Sequence, residues 1–389
     1  MPNYSGKWKL PTVMQAEGAG TWPVPPLGVG RELWTWGNNG SGALGTGNIT
    51  NYSSPVQVGA LTDWYDTALG YSYGIAVKPD GTLWTWGSGT YGVNGRGNVT
   101  DVSSPIQVGA LTTWASVGAG IYINGALRQD GTLWTWGAGY EGALGHGNTT
   151  AYSSPVQVGA LTDWLQLSGG HYFMTAIKTD GTLWGWGRNN YGQLGDGTTT
   201  VRSSPVQVGA LTDWATVHAR VFYVLALKTD GTIWSWGANK SGACGQSNTT
   251  VYSSPIQVGA LTTWATIGPG SETDLANSEW SMAIKTDGTL WTWGEGSDGQ
   301  LGIGNITNYS SPKQVGALTT WSTVSGGRKF SYAIKTDGTL WSWGDGGNGA
   351  LGHGNTTTLS SPVQVGGLTT WGKLPAQNFH TGGMGQITV

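Results

Sequence analysis

The sequence predicts an all-β protein, a seven-bladed β-propeller of four-stranded antiparallel blades whose ring is closed by N- and C-terminal strands. Three observations carry this prediction. A Trp-rich string recurs seven times at a nearly fixed period. Each period holds four short strand patterns and no helical one. The phase of the repeat also meets itself at the two ends of the chain. A radial array of four-stranded sheets satisfies all three, whereas a stacked solenoid would need distinct capping repeats.

The string is LWTWG or a close relative, with first tryptophans Trp34, Trp84, Trp134, Trp184, Trp234, Trp291 and Trp341. The steps are 50 residues except for one of 57. A second marker, SSPVQVGALTDW or close to it, runs in phase and ends at Trp64, Trp114, Trp164, Trp214, Trp264, Trp321 and Trp371. Together they hold 21 of the 24 tryptophans and leave Trp8, Trp22 and Trp280 over.

Within one unit a strand is expected over 56–59, a turn over 60–63 and a second strand from Trp64. A third is expected over 74–78 and a fourth over 82–86. The pair Asp80-Gly81 joins the last two; such a pair marks a hairpin whose central residues need positive φ. A Gly-, Asn- and Thr-rich loop follows. Alternation along LWTWG sends Trp34 and Trp36 to the same side, so both are expected to pack against a neighbouring blade. One buried Trp removes ~200 Å² from water, worth roughly 5 kcal/mol at most. The next Leu of the motif would fall at position 390, one past Val389, and the first is Leu33. The tail from Gly372 is therefore expected to supply the strands that precede Leu33. Closure removes exposed sheet edges. Two segments follow: an extended arm over 1–29 and the propeller over 30–389.

Composition narrows the function. Glycine is 68 of 389 residues and charged residues are 10%, against about 7% and about 25% in ordinary chains. Too little charge and too much aromatic surface exclude a disordered tail. A net charge of −3 argues against a nucleic-acid groove, which needs a basic stripe. No apolar run is long enough to span a membrane as a helix, and no signal-peptide pattern opens the chain. Cys244 is the only cysteine, so neither an intramolecular disulfide nor a Cys-based metal site is expected.

The string WGRNNYGQLGDG (186–197), the SSPVQVGALTDW marker and SGGHYFMTAIKTDGTLWGWG (168–187) resemble the repeat of the regulator of chromosome condensation family. The resemblance spans 30–389. It implies a seven-bladed propeller but no single function, because that fold serves exchange factors, ligase modules and photoreceptors alike. The family's GxxH histidine is matched only at His171 and His380. No insertion is long enough to be the projecting wing of the exchange factor. The segment SGKWKLPTVMQAEGAGTWPVPP (5–26), a Trp-x-Leu run followed by a Gln/Ala-rich stretch and Trp-Pro, resembles leader segments of tailed-phage appendage proteins.

Catalytic signatures are absent: no GxSxG, P-loop or HExxH occurs. No catalytic residue, metal or cofactor is expected. His146 and His353 share a freely varying loop position and read as solvated surface. Cys244 replaces a Leu and reads as small buried core. The N-x-T triplets at Asn48, Asn98, Asn148, Asn248, Asn305 and Asn355 read as turn-shaping hydrogen bonds.

Binding remains. Two loop sets diverge among near-identical blades. One follows each WG, at 38–41, 88–91, 138–141, 188–191, 238–241, 295–298 and 345–348. The other precedes the third strand and is richer in aromatics. From the second set the expected ligand-binding residues are Tyr71, Tyr73, Tyr122, His171, Tyr172, Arg220, Phe222, Trp280, Arg328, Phe330 and His380. Arg220, Arg328 and Lys329 are expected to face Glu272, Asp274 and Glu279. Aromatics with a few polar groups on a rigid scaffold suit recognition, although the same residues could plug the central channel. In the arm, Trp8, Leu10, Met14 and Trp22 are expected to dock a partner, since Trp is enriched at binding hot spots. The sequence thus reads as a non-enzymatic binding propeller. The leader likeness makes it a virion surface or tail-appendage protein, held to other virion proteins by its arm and presenting a loop face to host glycan or protein. The alternative is a cytoplasmic protein–protein module of the exchange-factor or adaptor type.

Overall fold

A computed structural model describes residues 30–60, 62–271, 278–375 and 382–387. They form seven antiparallel sheets. The first blade runs Asp66–Leu69, Tyr73–Val77, Leu83–Gly87 and Val102–Gln107. Five more follow in the same order, and the fifth carries an extra two-residue strand, Gly270–Ser271, paired with Glu279 and Trp280. The closing blade takes Trp371–Lys373 and Gly382–Ile387 from one end of the chain and Glu32–Gly37 and Tyr52–Gln57 from the other. All six residues of Glu32–Gly37 pair with Gly382–Ile387. Ring closure follows the expected phase.

The first strand of each blade lies nearest the axis, and the fourth is an outer edge. That edge carries a proline in every blade, such as Pro55 and Pro155. Proline cannot donate to a ladder, so the edges resist pairing with another chain. The hairpin between the second and third strands has a three-residue loop, one residue longer than the two-residue turn expected. Gly81 N donates to Lys78 O and Lys78 N to Thr82 O, while only Gly81 has positive φ, at 76°. Asp80 instead accepts from the Thr82 amide and hydroxyl at 2.9 and 2.6 Å. It caps the turn with its side chain and needs no left-handed backbone.

The two tryptophans of each LWxWG strand differ. The second is core: Trp36, Trp86 and Trp136 are fully buried. Trp86 Nε1 donates to Ala43 O and Trp136 Nε1 to Val93 O, each in the loop of the preceding blade. Trp36 does the same across the closure, to Ala350 O at 2.9 Å. The first tryptophan is only half-buried, contrary to the expectation of two core residues. In six blades its ring carries a cation: Lys78 Nζ lies 4.4 Å from Trp84 and 5.1 Å from Trp64. Arg128, Lys178, Lys228, Lys285 and Lys335 repeat the arrangement. The cation's charge on an indole face adds attraction that apolar contact alone lacks.

Cys244 is buried, as expected, and its thiol is pushed up to about 12 by that burial. Each N-x-T asparagine accepts from the amide two residues on, as at Thr150 and Thr250, which is the turn role. His146 and His353 are not solvated. They are half-buried and their Nε2 atoms bond the hydroxyls of Thr135 and Ser342 at 3.0 and 2.9 Å.

Candidate functional site

Antiparallel order places both divergent loop sets at the same end of the propeller. The loops between first and second strands lie innermost and bond one another around the axis: Ile121 N donates to Gly170 O and His171 N to Val221 O. A side chain at Gly170 would meet the Phe173 ring and Arg220 O, so glycine lets neighbouring loops close in. Ile121 and Val221 are buried beneath the mouth. The larger aromatics lie outward of them and half-exposed.

There the two loop sets meet. Tyr122 stacks on Tyr172 at 5.8 Å, and Tyr91 sits edge-on to Tyr122 at 5.3 Å and to Tyr140 at 5.6 Å. Tyr140 contacts Tyr172 at 5.4 Å, so the four tyrosines form a closed circuit of contacts. Tyr71 extends it beyond Tyr122, and Arg328 lies 5.9 Å from the Tyr71 ring. On the other side His171 contacts Phe222, which contacts Tyr191. Arg188 sits over Tyr172 at 4.9 Å, and its Nε and Nη2 donate to Glu141 at 2.6 and 3.1 Å. Arg188 Nη1 also donates to His171 Nδ1 at 3.4 Å. Tyr91 and Tyr140 are the most open members, 39% and 51% exposed.

Backbone strain concentrates here. Tyr91, Glu141 and Tyr172 hold φ of 58°, 54° and 60°, a region that costs a side-chain-bearing residue of order 1 kcal/mol and favours glycine. Glycine fills most positive-φ positions of this chain. A tyrosine retained against that cost suits a site whose side chain is used.

Burial drops His171 to about 4, with the Arg188 charge adding to the effect. The imidazole is therefore neutral near pH 7. Burial also raises Tyr172 to about 12. Neither group is poised for proton transfer near neutrality. Among the described residues no three His, Cys, Asp or Glu side chains converge on a possible metal position. The surface offers ring faces, tyrosine hydroxyls and one paired guanidinium.

The sequence-derived residues divide. Tyr71, Tyr122, His171 and Tyr172 lie in the patch, with Phe222 beneath it at 7% exposure. Arg328 borders it. Tyr73, Trp280 and Phe330 are interior instead. Each stands at the start of a second strand, Trp280 one residue in, opposite a WG glycine: Tyr73↔Gly87, Trp280↔Gly294, Phe330↔Gly344. Trp280 is thus a framework residue after all, its Nε1 donating to Ser331 Oγ. Arg220 is also buried; its Nε donates to Pro269 O at 2.7 Å. Glu279 is fully buried, and among the described residues neither carboxyl oxygen has a hydrogen-bond partner, so it does not answer the cations as expected. Lys329 pairs with Asp298. Glu272, Asp274 and His380 lie outside the described residues, as do Trp8, Leu10, Met14 and Trp22. Sequence reasoning passed over Tyr91, Tyr140, Glu141, Arg188 and Tyr191. Their signal was present, since tyrosine stands in three of the diverging WG loops.

The model of the regulator of chromosome condensation (RCC1) repeat matches seven times, over 32–77, 80–127, 130–177, 180–227, 230–272, 287–334 and 337–382. The chain belongs to the RCC1 repeat family. Its fold is similar to that of Prp20p from Saccharomyces cerevisiae, with a TM-score of 0.80 and 18% identity over 93% of this chain and 92% of that one. It is equally similar to human WBSCR16, with a TM-score of 0.79 and 18% identity over 92% of this chain and 99% of that one. Among curated proteins, the X-linked retinitis pigmentosa GTPase regulator of Canis lupus familiaris is 48% identical over 40 residues. That match spans 10% of this chain and 4% of the relative's length. No helix among the described residues is long and apolar enough to cross a membrane.

Proposed function

We propose that this RCC1-repeat propeller is a non-enzymatic protein-interaction module of the adaptor or exchange-factor type, and that the tyrosine patch is its recognition surface. The observation that carries the reading is the closed tyrosine circuit, built on strained backbone and ringed by the Arg188–Glu141 pair. Tyr and Arg are the residues that dominate protein interfaces, because they bury large rigid area at low entropic cost. Protein partners also fit the relatives: Prp20p is described as binding Gsp1p and histones, and yeast RCC1 (Prp20) as bound to Kap60. The virion-appendage reading rests on residues 1–29 and gains nothing from these relatives. The adaptor reading is therefore preferred.

A photo-crosslinking amino acid placed at Tyr140 should trap a discrete partner in the native cell, while one at Ile49, exposed on another loop, should not. Tyr91→Ala and Arg188→Ala should each weaken the trapped complex by about tenfold or more and leave the melting temperature nearly unchanged. Equal trapping from both positions would remove the assignment.

A further inference from the structure

The opposite end of the propeller carries a second, repeated feature. Between adjacent blades a groove of about 440 Å³ is lined by Gln157, Val158, Leu161, Trp164, Trp184 and Pro205. The same positions three blades on, including Val315, Leu318, Trp321, Trp341 and Pro362, line a groove of about 300 Å³. Leu161 is 45% exposed, and its equivalents Leu111, Leu211, Leu261, Leu318 and Leu368 are 44–46% exposed. The fold does not require a half-exposed leucine at a turn. Yet this residue is constant while the loops of the other end diverge.

The rim is anionic. Lys178 is 8% exposed, held against Trp164 and Trp184, while its partner Asp163 at 3.4 Å is 41% exposed. Solvent therefore meets the carboxylate and not the ammonium. Thr179 N donates to Asp163 O, which sets the exposed turn residue Asp180 on the same rim. Hydrogen bonds from Thr182 hold the Asp180 carboxyl low against the desolvation that would raise it. The second groove differs: Thr320 replaces Asp163, and Lys313 stands where Val156 does.

We propose that these inter-blade grooves, foremost the one at Leu161, dock a linear segment of a partner protein in which an aliphatic anchor lies beside Lys or Arg. A glycan is disfavoured because one face of Trp184, the ring a sugar would stack on, is already taken by Lys178. The volume suits a short run of side chains rather than a single one. Repetition around the ring adds avidity for a partner with several such segments.

The test uses the full chain and a fluorescent, end-capped peptide alternating Leu and Lys over eight residues, with a Leu–Glu peptide as reference. The Leu–Lys peptide should bind saturably and weaken as salt rises from about 50 to about 300 mM. Leu161→Ser should weaken it about fivefold, the size expected for losing part of one leucine's burial. Leu318→Ser should cost less, because its groove lacks the second carboxylate. Equal binding of the Leu–Glu peptide, indifference to Leu161→Ser, loss on Tyr140→Ala instead, or displacement by cellohexaose would each overturn the proposal. The tyrosine-patch reading would survive the first two.

Discussion

A chain ending at Trp371 is expected to lose about 10 °C or more of melting temperature, or to aggregate on expression. The truncation removes Gly382–Ile387, the strand that pairs with every residue of Glu32–Gly37. What remains of the closing blade is the hairpin of Glu32–Gly37 with Tyr52–Gln57, separated from the inner strand. A two-stranded hairpin is marginal on its own. The cost spreads to both neighbours. Trp36 packs against Tyr332 and Trp371 with ring centroids at 5.5 and 5.9 Å, and its anchor to Ala350 O crosses the seam. Lys373, which reaches Asp66 at 2.7 Å in the first blade, goes as well. The exposed edges are apolar and unpaired, the condition that invites aggregation. Thermal melts monitored by circular dichroism decide it. A truncated chain that melts with the intact one would mean that six blades hold their shape without the seam.

The fold was legible because the repeat states its own phase. Gly, Trp and Asp-Gly recur at fixed offsets, so one blade read correctly reads all seven. Two things escaped that logic. The first is depth: Tyr73, Trp280 and Phe330 sit in loop-like surroundings but belong to buried strands, and only the pairing opposite Gly87, Gly294 and Gly344 reveals it. Trp280 looked like an addition because the inserted residues precede it and hide its register. The second is contact through space. Tyr91 and Tyr172 are 81 positions apart in one chain and belong to different loop sets. Nothing local says that Tyr122 and Tyr140 bring them into one circuit. The divergence of both loop sets pointed to the end of the propeller that carries the tyrosine circuit, but not to the members that face solvent.

Glu279→Gln is expected to stabilise the protein near pH 8 by on the order of 3 kcal/mol and to flatten its stability between about pH 5 and pH 8. Glu279 is fully buried, and among the described residues neither oxygen has a well-formed hydrogen bond. Desolvation lifts its carboxyl to about 8, the Glu295 charge pushes the same way, and its own backbone amide and Lys240 oppose both. Tyr223 and Cys244 face the same carboxyl, and its charge in turn raises both of them. A carboxyl raised on folding binds more protons in the native state than in the unfolded one. Its contribution is therefore fully present below about pH 4.5 and is lost progressively as pH climbs to about 8, with no further change above. Glutamine keeps the shape and cannot ionise, so the variant escapes that loss. His171 complicates the absolute curve. Its folded value near 4 lies below the ordinary 6.5, so it adds stability as pH rises through the same range. That term is common to both proteins and cancels in their difference. Urea unfolding at several pH values should give parent and variant curves that converge near pH 5 and separate toward pH 8. Parallel curves would mean that Glu279 gains a partner or water in solution and titrates as an ordinary acid.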